Sequence, residues 1–422
     1  MSSILGAAPG SGASAAGPSL PVEMTAARPR VSLVAILRAF LGIGLTAFGM
    51  AILQKLRTLV IGRGWLTEAE TNEGLALVQL YPGPIMVDFS AYAGYRVRGV
   101  PGAIASTTGF VLPSFVLMVG LSAAYFALGD LPGVGALLVG LEALVVGVLL
   151  NVVLDLGARS VTGRMQAVIA LFAFIALLEA ANAILIVLVA LVAGALLLRP
   201  VPGVPSPGGA APAHVAAEAV GPRRWAAIAA VGVAVLAVAG LAWAMSSPAG
   251  TVGLSMFKIG AVAFGNGSTI MPLLQAEAVD AHGWLTMRQF ADGIALGQIT
   301  PGPFLITAAF VGYKVAGLAG ALLATFGIFS PSFAMTLIFT ELFTRVRDLG
   351  PVRGALAGVL ASFVGLLAVV TLQLGRLALT TPTALAFGAA AFVAVRFFKL
   401  DLLLVFAGGL AVWGALLAMN AV

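Results

Sequence analysis

A chain of 422 residues that is 61% hydrophobic and only 9% charged is not a soluble globular domain, which averages about 45–50% apolar and about 25% charged residues. A net charge of +6 would raise nucleic acid as a partner in a soluble protein. Here the basic residues mostly flank apolar runs, among them Arg28, Arg30, Arg38, Lys55, Arg57, Arg63, Arg159, Arg164, Arg223, Arg224 and Arg353, as membrane-topology anchors do.

Residues 1–30 are rich in Gly, Ala, Ser and Pro. They read as a disordered tail without the basic-then-apolar pattern of a cleaved signal peptide. A first helical repeat is expected over 31–199. It opens on a stretch around Phe48-Gly49 that reads as a short hairpin. A second hairpin is expected downstream: residues 68–80 and 84–98 are each too short to span a bilayer of about 30 Å, and Pro82-Gly83-Pro84 separates them. Proline removes a backbone donor and disfavours helix in the residue before it, and glycine permits a sharp change of direction. Apolar runs follow near 101–126, 134–157, 165–180 and 182–198, the last two short enough to form a tight pair. Residues 200–224 lose all apolar periodicity and read as a flexible cytoplasmic linker. A second helical repeat is expected over 225–422, with runs near 226–245, 318–342, 354–374, 382–395 and 400–419. The fold class is all-α and polytopic, with about 9–13 membrane segments.

The halves repeat each other. Residues 64–84 (GWLTEAETNEGLALVQLYPGP) match 283–303 (GWLTMRQFADGIALGQITPGP) at eleven of twenty-one positions. Residues 94–115 match 312–333 at eleven of twenty-two. Upstream, Ala47-Phe48-Gly49 matches Ala263-Phe264-Gly265. The flanking charges do not repeat. Lys55, Arg57 and Arg63 precede the first GWLT, whereas Glu277, Asp280 and His282 precede the second; after the Pro-Ser-Phe helix the bias reverses, Asp130 against Arg345, Arg347 and Arg353. Basic residues mark the cytoplasmic face, so the copies are expected to insert in opposite orientations, as inverted repeats.

Each Pro-Gly-Pro break leaves backbone groups that cost several kcal/mol in lipid unless they line a cavity. Pro84 and Pro303 stand at first-turn positions, where proline is favoured. The N–H groups of Ile85, Met86 and Val87, and of Phe304, Leu305 and Ile306, then face outward at a positive helix end, a ready anion site. Two such ends at one locus suit a small dianion. The expected site therefore comprises Pro82, Gly83, Pro84, Ile85 and Met86 from one copy and Pro301, Gly302, Pro303, Phe304 and Leu305 from the other. Gln79 and Gln298, each one turn before a break, add amide donors, with interhelical contact as the bland alternative. Lys258, inside an apolar run, is read as attracting the anion, against a lysine snorkelling to the surface. Asp88, one turn past the first break, is read as a proton carrier, as an ion-pair partner, or as an acid at a helix start. Glu142, Asp155 and Glu179 read as structural ion-pair acids for residues such as Arg159 or Arg164. Trp65 and Trp284 read as interfacial anchors.

These motifs resemble the chromate ion transporter family in its two-domain long form. The resemblance is carried by GWLT, by the GLALVQLYPGP and GIALGQITPGP stretches, by Gly94-Tyr95-Arg96 and Gly312-Tyr313-Lys314, and by Leu112-Pro113-Ser114-Phe115 and Ser330-Pro331-Ser332-Phe333. It covers roughly 38–150 and 254–370 and departs at Gly42, Met50, Gln54 and Asp88, where the family pattern usually has other residues. It implies gradient-driven export of chromate, with sulfate as a similar tetrahedral dianion, by a multi-pass protein of the inner membrane. Sulfate or another oxyanion as cargo, and an anion channel, remain the alternatives. A second copy of the chain stands as a candidate partner besides the oxyanion and the bilayer. The absence of cysteine excludes disulfides and thiolate chemistry. His214 and His282, in or near loops, make no metal cluster. No nucleotide motif, zinc-protease motif or nucleophile elbow is present, so neither a cofactor nor an enzyme activity is expected.

Overall fold

The computed structural model describes residues 31–49, 51–128, 132–198, 221–265, 267–346 and 350–419. The expected tail over 1–30 and the linker over 200–220 lie outside the described residues. Arg223 and Arg224, read as linker, belong to the first turn of a helix instead, because Pro222 at its start is pre-set for helical φ.

The first repeat opens with α1 (Leu33–Thr46), capped by the Ser32 hydroxyl accepting from Ala35 N. Its buried residues Ile36, Ala39, Phe40, Ile43 and Gly44 follow helical spacing and form one inward face. The chain breaks at 47–49 and returns as α2 (Ala51–Gly62). The threonine of GWLT then explains its own repetition: Thr67 and Thr286 each close a capping box, with Glu70 and Gln289 respectively, at the starts of α3 (Glu68–Leu77) and its counterpart in the second half. After α3 comes β1 (Gly83–Pro84), then α4 (Ile85–Leu128). That element is two limbs, because Arg98 (φ −147°, ψ 28°) and Gly99 (φ 62°, ψ −155°) turn the chain. α5 (Pro132–Ser160), α6 (Arg164–Leu178) and α7 (Ala183–Leu197) complete the half.

After α8 (Pro222–Ala244) the plan recurs. α9 (Pro248–Val262) leads to β2 (Phe264–Gly265); α10 (Met271–Gln275) runs into a wider π-helical turn; α11 (Met287–Ile299) leads to the second Pro-Gly-Pro. α12 (Thr307–Val346) turns at Ala316 and Gly317 (φ 56°) as α4 does at Arg98 and Gly99. α13 (Gly350–Ala378), α14 (Pro382–Arg396) and α15 (Leu402–Ala418) close the chain.

The protein is an all-α polytopic membrane protein. Among the described residues, five segments are long and apolar enough to cross a bilayer: Ile85–Leu128, Gly135–Ser160, Pro222–Ala244, Phe304–Leu342 and Gly350–Ala378. The paired apolar helices α6/α7 and α14/α15 are shorter. Packing is reciprocal between the halves. α5 lies against α14 and α15, while α13, its counterpart, lies against α6 and α7; α4 meets α12.

Two expectations about charged and aromatic residues change. Arg159 does pair with Asp155, at 2.9 Å, but Glu142 meets neither Arg159 nor Arg164. Its partner is Arg288, from the other half. Trp65, read as an interfacial anchor, is buried and stacks on Phe40 with centroids 6.4 Å apart. Trp284 stacks on His282 at 4.2 Å.

Candidate functional site

The two backbone breaks of each repeat do not stay within their own copy. β1 pairs in parallel with β2, Gly83 opposite Phe264 and Pro84 opposite Gly265. Pro-Gly-Pro of the first copy thus lies on Ala-Phe-Gly of the second. The converse contact is made at the other end: Gly302 N donates to Ala47 O at 3.0 Å. This exchange satisfies part of the backbone that the interruptions strip of helical partners. It also brings the four breaks together in two cross-copy pairs.

Side-chain packing repeats the symmetry. A Cβ added at Gly83 would collide with Asp88 Oδ2 and come within 2.6 Å of Ser332 Cβ. At Gly302 it would come within 2.7 Å of Ser114 Oγ, and φ there is +99°. Ser114 and Ser332 are the serines of the two Pro-Ser-Phe motifs, so each glycine is seated on the other copy's serine. That seat explains why both motifs recur together.

The helix starts differ in detail. α4 begins directly at Ile85, so Ile85, Met86 and Val87 N–H groups lie in a first turn with no carbonyl four residues behind. In the second copy a 3₁₀ turn (Phe304–Ile306) precedes α12. Ile306 N donates to Pro303 O at 3.0 Å, so of the three N–H groups expected there this one is already engaged. Pro82, Ile85, Met86, Gly302 and Phe304 are partly exposed, whereas Gly83, Pro84, Pro301, Pro303 and Leu305 are buried. Gln79 and Gln298 are both half-buried. One Gln79 N–H is committed to Leu75 O at 2.7 Å.

The charges make the two ends unequal. Asp88 is fully buried beside Gly83, and among the described residues neither of its oxygens accepts a hydrogen bond. Beside it, Tyr81 OH donates to Thr336 Oγ1 at 2.8 Å, and Thr336 in turn donates to Ser332 O. Thr307, which follows the second break at the same spacing, is neutral and donates to Phe304 O at 2.9 Å. Lys258 is exposed on α9 and makes no hydrogen bond or ion pair among the described residues. Its possible pairing with Asp88 is not formed. The lysine that does reach a break is Lys55. Its Nζ donates to Thr46 O at 2.6 Å, one residue from the Ala47 carbonyl that receives Gly302 N. Sequence reading placed Lys55 among topology charges. Its position on the return helix of the first hairpin, six residues past Gly49, was the available signal.

A family model described as Chromate transporter matches residues 34–195 and 250–414. The two matched segments contain the two sets of breaks; α8 falls between them. The chromate transport protein of Pseudomonas aeruginosa is 32% identical over 419 residues, covering 91% of this chain and 93% of that protein. The chromate transport protein of Cupriavidus metallidurans is 31% identical over 403 residues, covering 92% and 95%. An uncharacterised transporter of Methanocaldococcus jannaschii is 30% identical over 352 residues, covering 83% and 86%. No solved structure matches.

Proposed function

The chain belongs to the chromate transporter family, and from that premise we propose that it is a secondary transporter exporting chromate, or a tetrahedral dianion of the same shape such as sulfate, by alternating access across the inner membrane. The observation that carries this reading is the reciprocal pairing of the breaks, Gly83 with Phe264 and Gly302 with Ala47. Broken helices crossing at a repeat interface create a binding locus that two rigid halves can rock around.

The locus is unequal by charge. Asp88 repels a dianion from the Gly83 end when ionised. The Gly302 end has the neutral Thr307, the Phe304 and Leu305 N–H groups and the Lys55 ammonium nearby. The anion therefore sits closer to Pro301-Gly302-Pro303, with Ile85 and Met86 closing the other side and Gln79 and Gln298 flanking. Lys258, exposed on α9, serves as an outlying charge that draws the anion in rather than as a ligand.

Inverted insertion is part of the proposal. The second limb of α4, together with α5, α6, α7 and α8, separates the two GWLT segments. With the short α6 and α7 counted as crossings these make five, and without them three; either odd number puts equivalent points on opposite faces. The test is uptake of radiolabelled chromate and sulfate into inverted membrane vesicles, with and without a proton gradient. Gradient-stimulated uptake of either anion supports the reading. Vesicles holding the protein at normal level yet no faster than empty ones would refute it.

A further inference from the structure

Away from the breaks, one buried cluster joins the two halves through chemistry that the anion site does not use. Glu142 on α5 is 2% exposed and Asp292 on α11 is 3% exposed. The two carboxyls are neighbours, close enough for each to act on the other's charge. Both Glu142 oxygens and Asp292 Oδ1 nevertheless lack a hydrogen-bond donor among the described residues. Two carboxylates are acceptors only, so the contact is satisfied only when one of them holds a proton.

The surroundings set the charge balance. Arg288 Nε lies 3.6 Å from Glu142 Oε1, and Tyr125 OH donates to Asp292 Oδ2 at 2.7 Å. Among the described residues, these are the charged and titratable groups that act on the pair. From α12, Lys314 is held over the Phe126 ring at 4.9 Å. Phe310, stacked on Phe126 at 5.0 Å and edge-on to Tyr125 at 5.3 Å, supplies an apolar wall. One arginine offsets one carboxylate, and like charges close together at low dielectric oppose each other's ionisation, so the arrangement favours one proton on the pair. The Arg288 side chain is 54% exposed, so the cluster reaches the protein surface.

We propose that Glu142 and Asp292 share one exchangeable proton and form the site through which proton movement drives anion transport. The linkage to the anion site runs through the chain itself. α11, which bears Asp292 and Arg288, ends at Ile299 immediately before Pro301-Gly302-Pro303. The second limb of α4 bears both Tyr125 and Ser114, the serine seated on Gly302. Losing the proton leaves two adjacent negative charges, which pushes α5 from α11 and shifts the break that α11 carries. The first copy has an acid at the matching place, Glu73, but it lies in the field of Arg96.

This inference rests on the transport reading above, and the experiment separates them. Purified full-length protein is reconstituted in liposomes, unmodified and as Glu142→Gln and Asp292→Asn. Radiolabelled chromate is followed in two modes: accumulation driven by a pH gradient, acid inside, and counterflow against unlabelled chromate with no gradient. The expected result is that either variant lowers gradient-driven accumulation by about tenfold or more, within the usual range of coupling factors, and leaves counterflow near the unmodified level. Chromate flux in unmodified protein that ignores the pH gradient overturns the coupling proposal and leaves the carrier reading intact. Gradient-driven accumulation unchanged in both variants also overturns it. So does loss of counterflow in both, because the pair is then structural. No chromate flux in the unmodified protein sinks the transport reading itself.

Discussion

Replacing Gly302 with alanine is expected to reduce chromate uptake about 100-fold at matched protein level, the equivalent of roughly 3 kcal/mol. Two effects add. A φ of +99° is foreign to a residue with a side chain, at a cost of roughly 1–2 kcal/mol. The new methyl also meets Ser114 Oγ at 2.7 Å, and overpacking of a tight contact costs typically about 1–3 kcal/mol. Relief would push the second break off the Ala47 carbonyl and separate the cross-copy pair. Gly83→Ala meets the same kind of obstacle on Ser332 and Asp88, so the two variants should fail alike. Initial uptake rates in inverted vesicles measure it; rates for Gly302→Ala close to the unmodified protein would show that the seat is not needed.

Lys55→Gln is expected to weaken anion uptake by about 10- to 100-fold, because a hydrogen bond involving a charged group contributes roughly 1.5–3 kcal/mol. The ammonium lies at Thr46 O, beside the Ala47–Gly302 contact, and a dianion at the second break is within its field. Lys55→Arg keeps the charge and should retain most of the activity. Lys258→Gln should cost less than Lys55→Gln: both lysines are exposed, but only Lys55 is held at a break, by its bond to Thr46 O. Concentration dependence of sulfate and chromate uptake distinguishes them: the loss at Lys55 appears as a raised half-saturation concentration. Equal half-saturation in Lys55→Gln and unmodified protein would remove this lysine from the site.

Much of the architecture was legible because duplication makes a sequence its own comparison. Matched Trp, Gln and Pro-Gly-Pro located the breaks, and the turns at Arg98-Gly99 and Ala316-Gly317 fall inside the repeated Gly-Tyr-basic segments. The hairpins followed from length alone, since 10–15 residues of helix reach only about 15–22 Å. What stayed hidden is what two distant stretches do together. Nothing local in Pro82-Gly83-Pro84 says that its partner is Phe264-Gly265 rather than the Ala-Phe-Gly of its own copy. The same limit applies to the charges. Lys258 stood out because it interrupts an apolar run, but periodicity without a neighbour does not say which face is inward. Lys55 sat among other basic residues and looked ordinary. Glu142 was matched with nearby arginines, because sequence distance was the only distance available, whereas its contacts, Asp292 and Arg288, come from the other half.

The most direct test of the paired-break site uses the absence of cysteine from the chain. Single cysteines placed at Ile85 and at Phe304, both partly exposed at the helix starts, can be reacted with a polar thiol reagent in proteoliposomes that transport sulfate. If the two breaks form one anion site, saturating sulfate slows labelling at both positions and leaves a control cysteine at Leu196, on the exposed face of α7, unaffected. Labelling at Ile85 and Phe304 that is indifferent to sulfate, in vesicles that still carry it, would place the anion elsewhere.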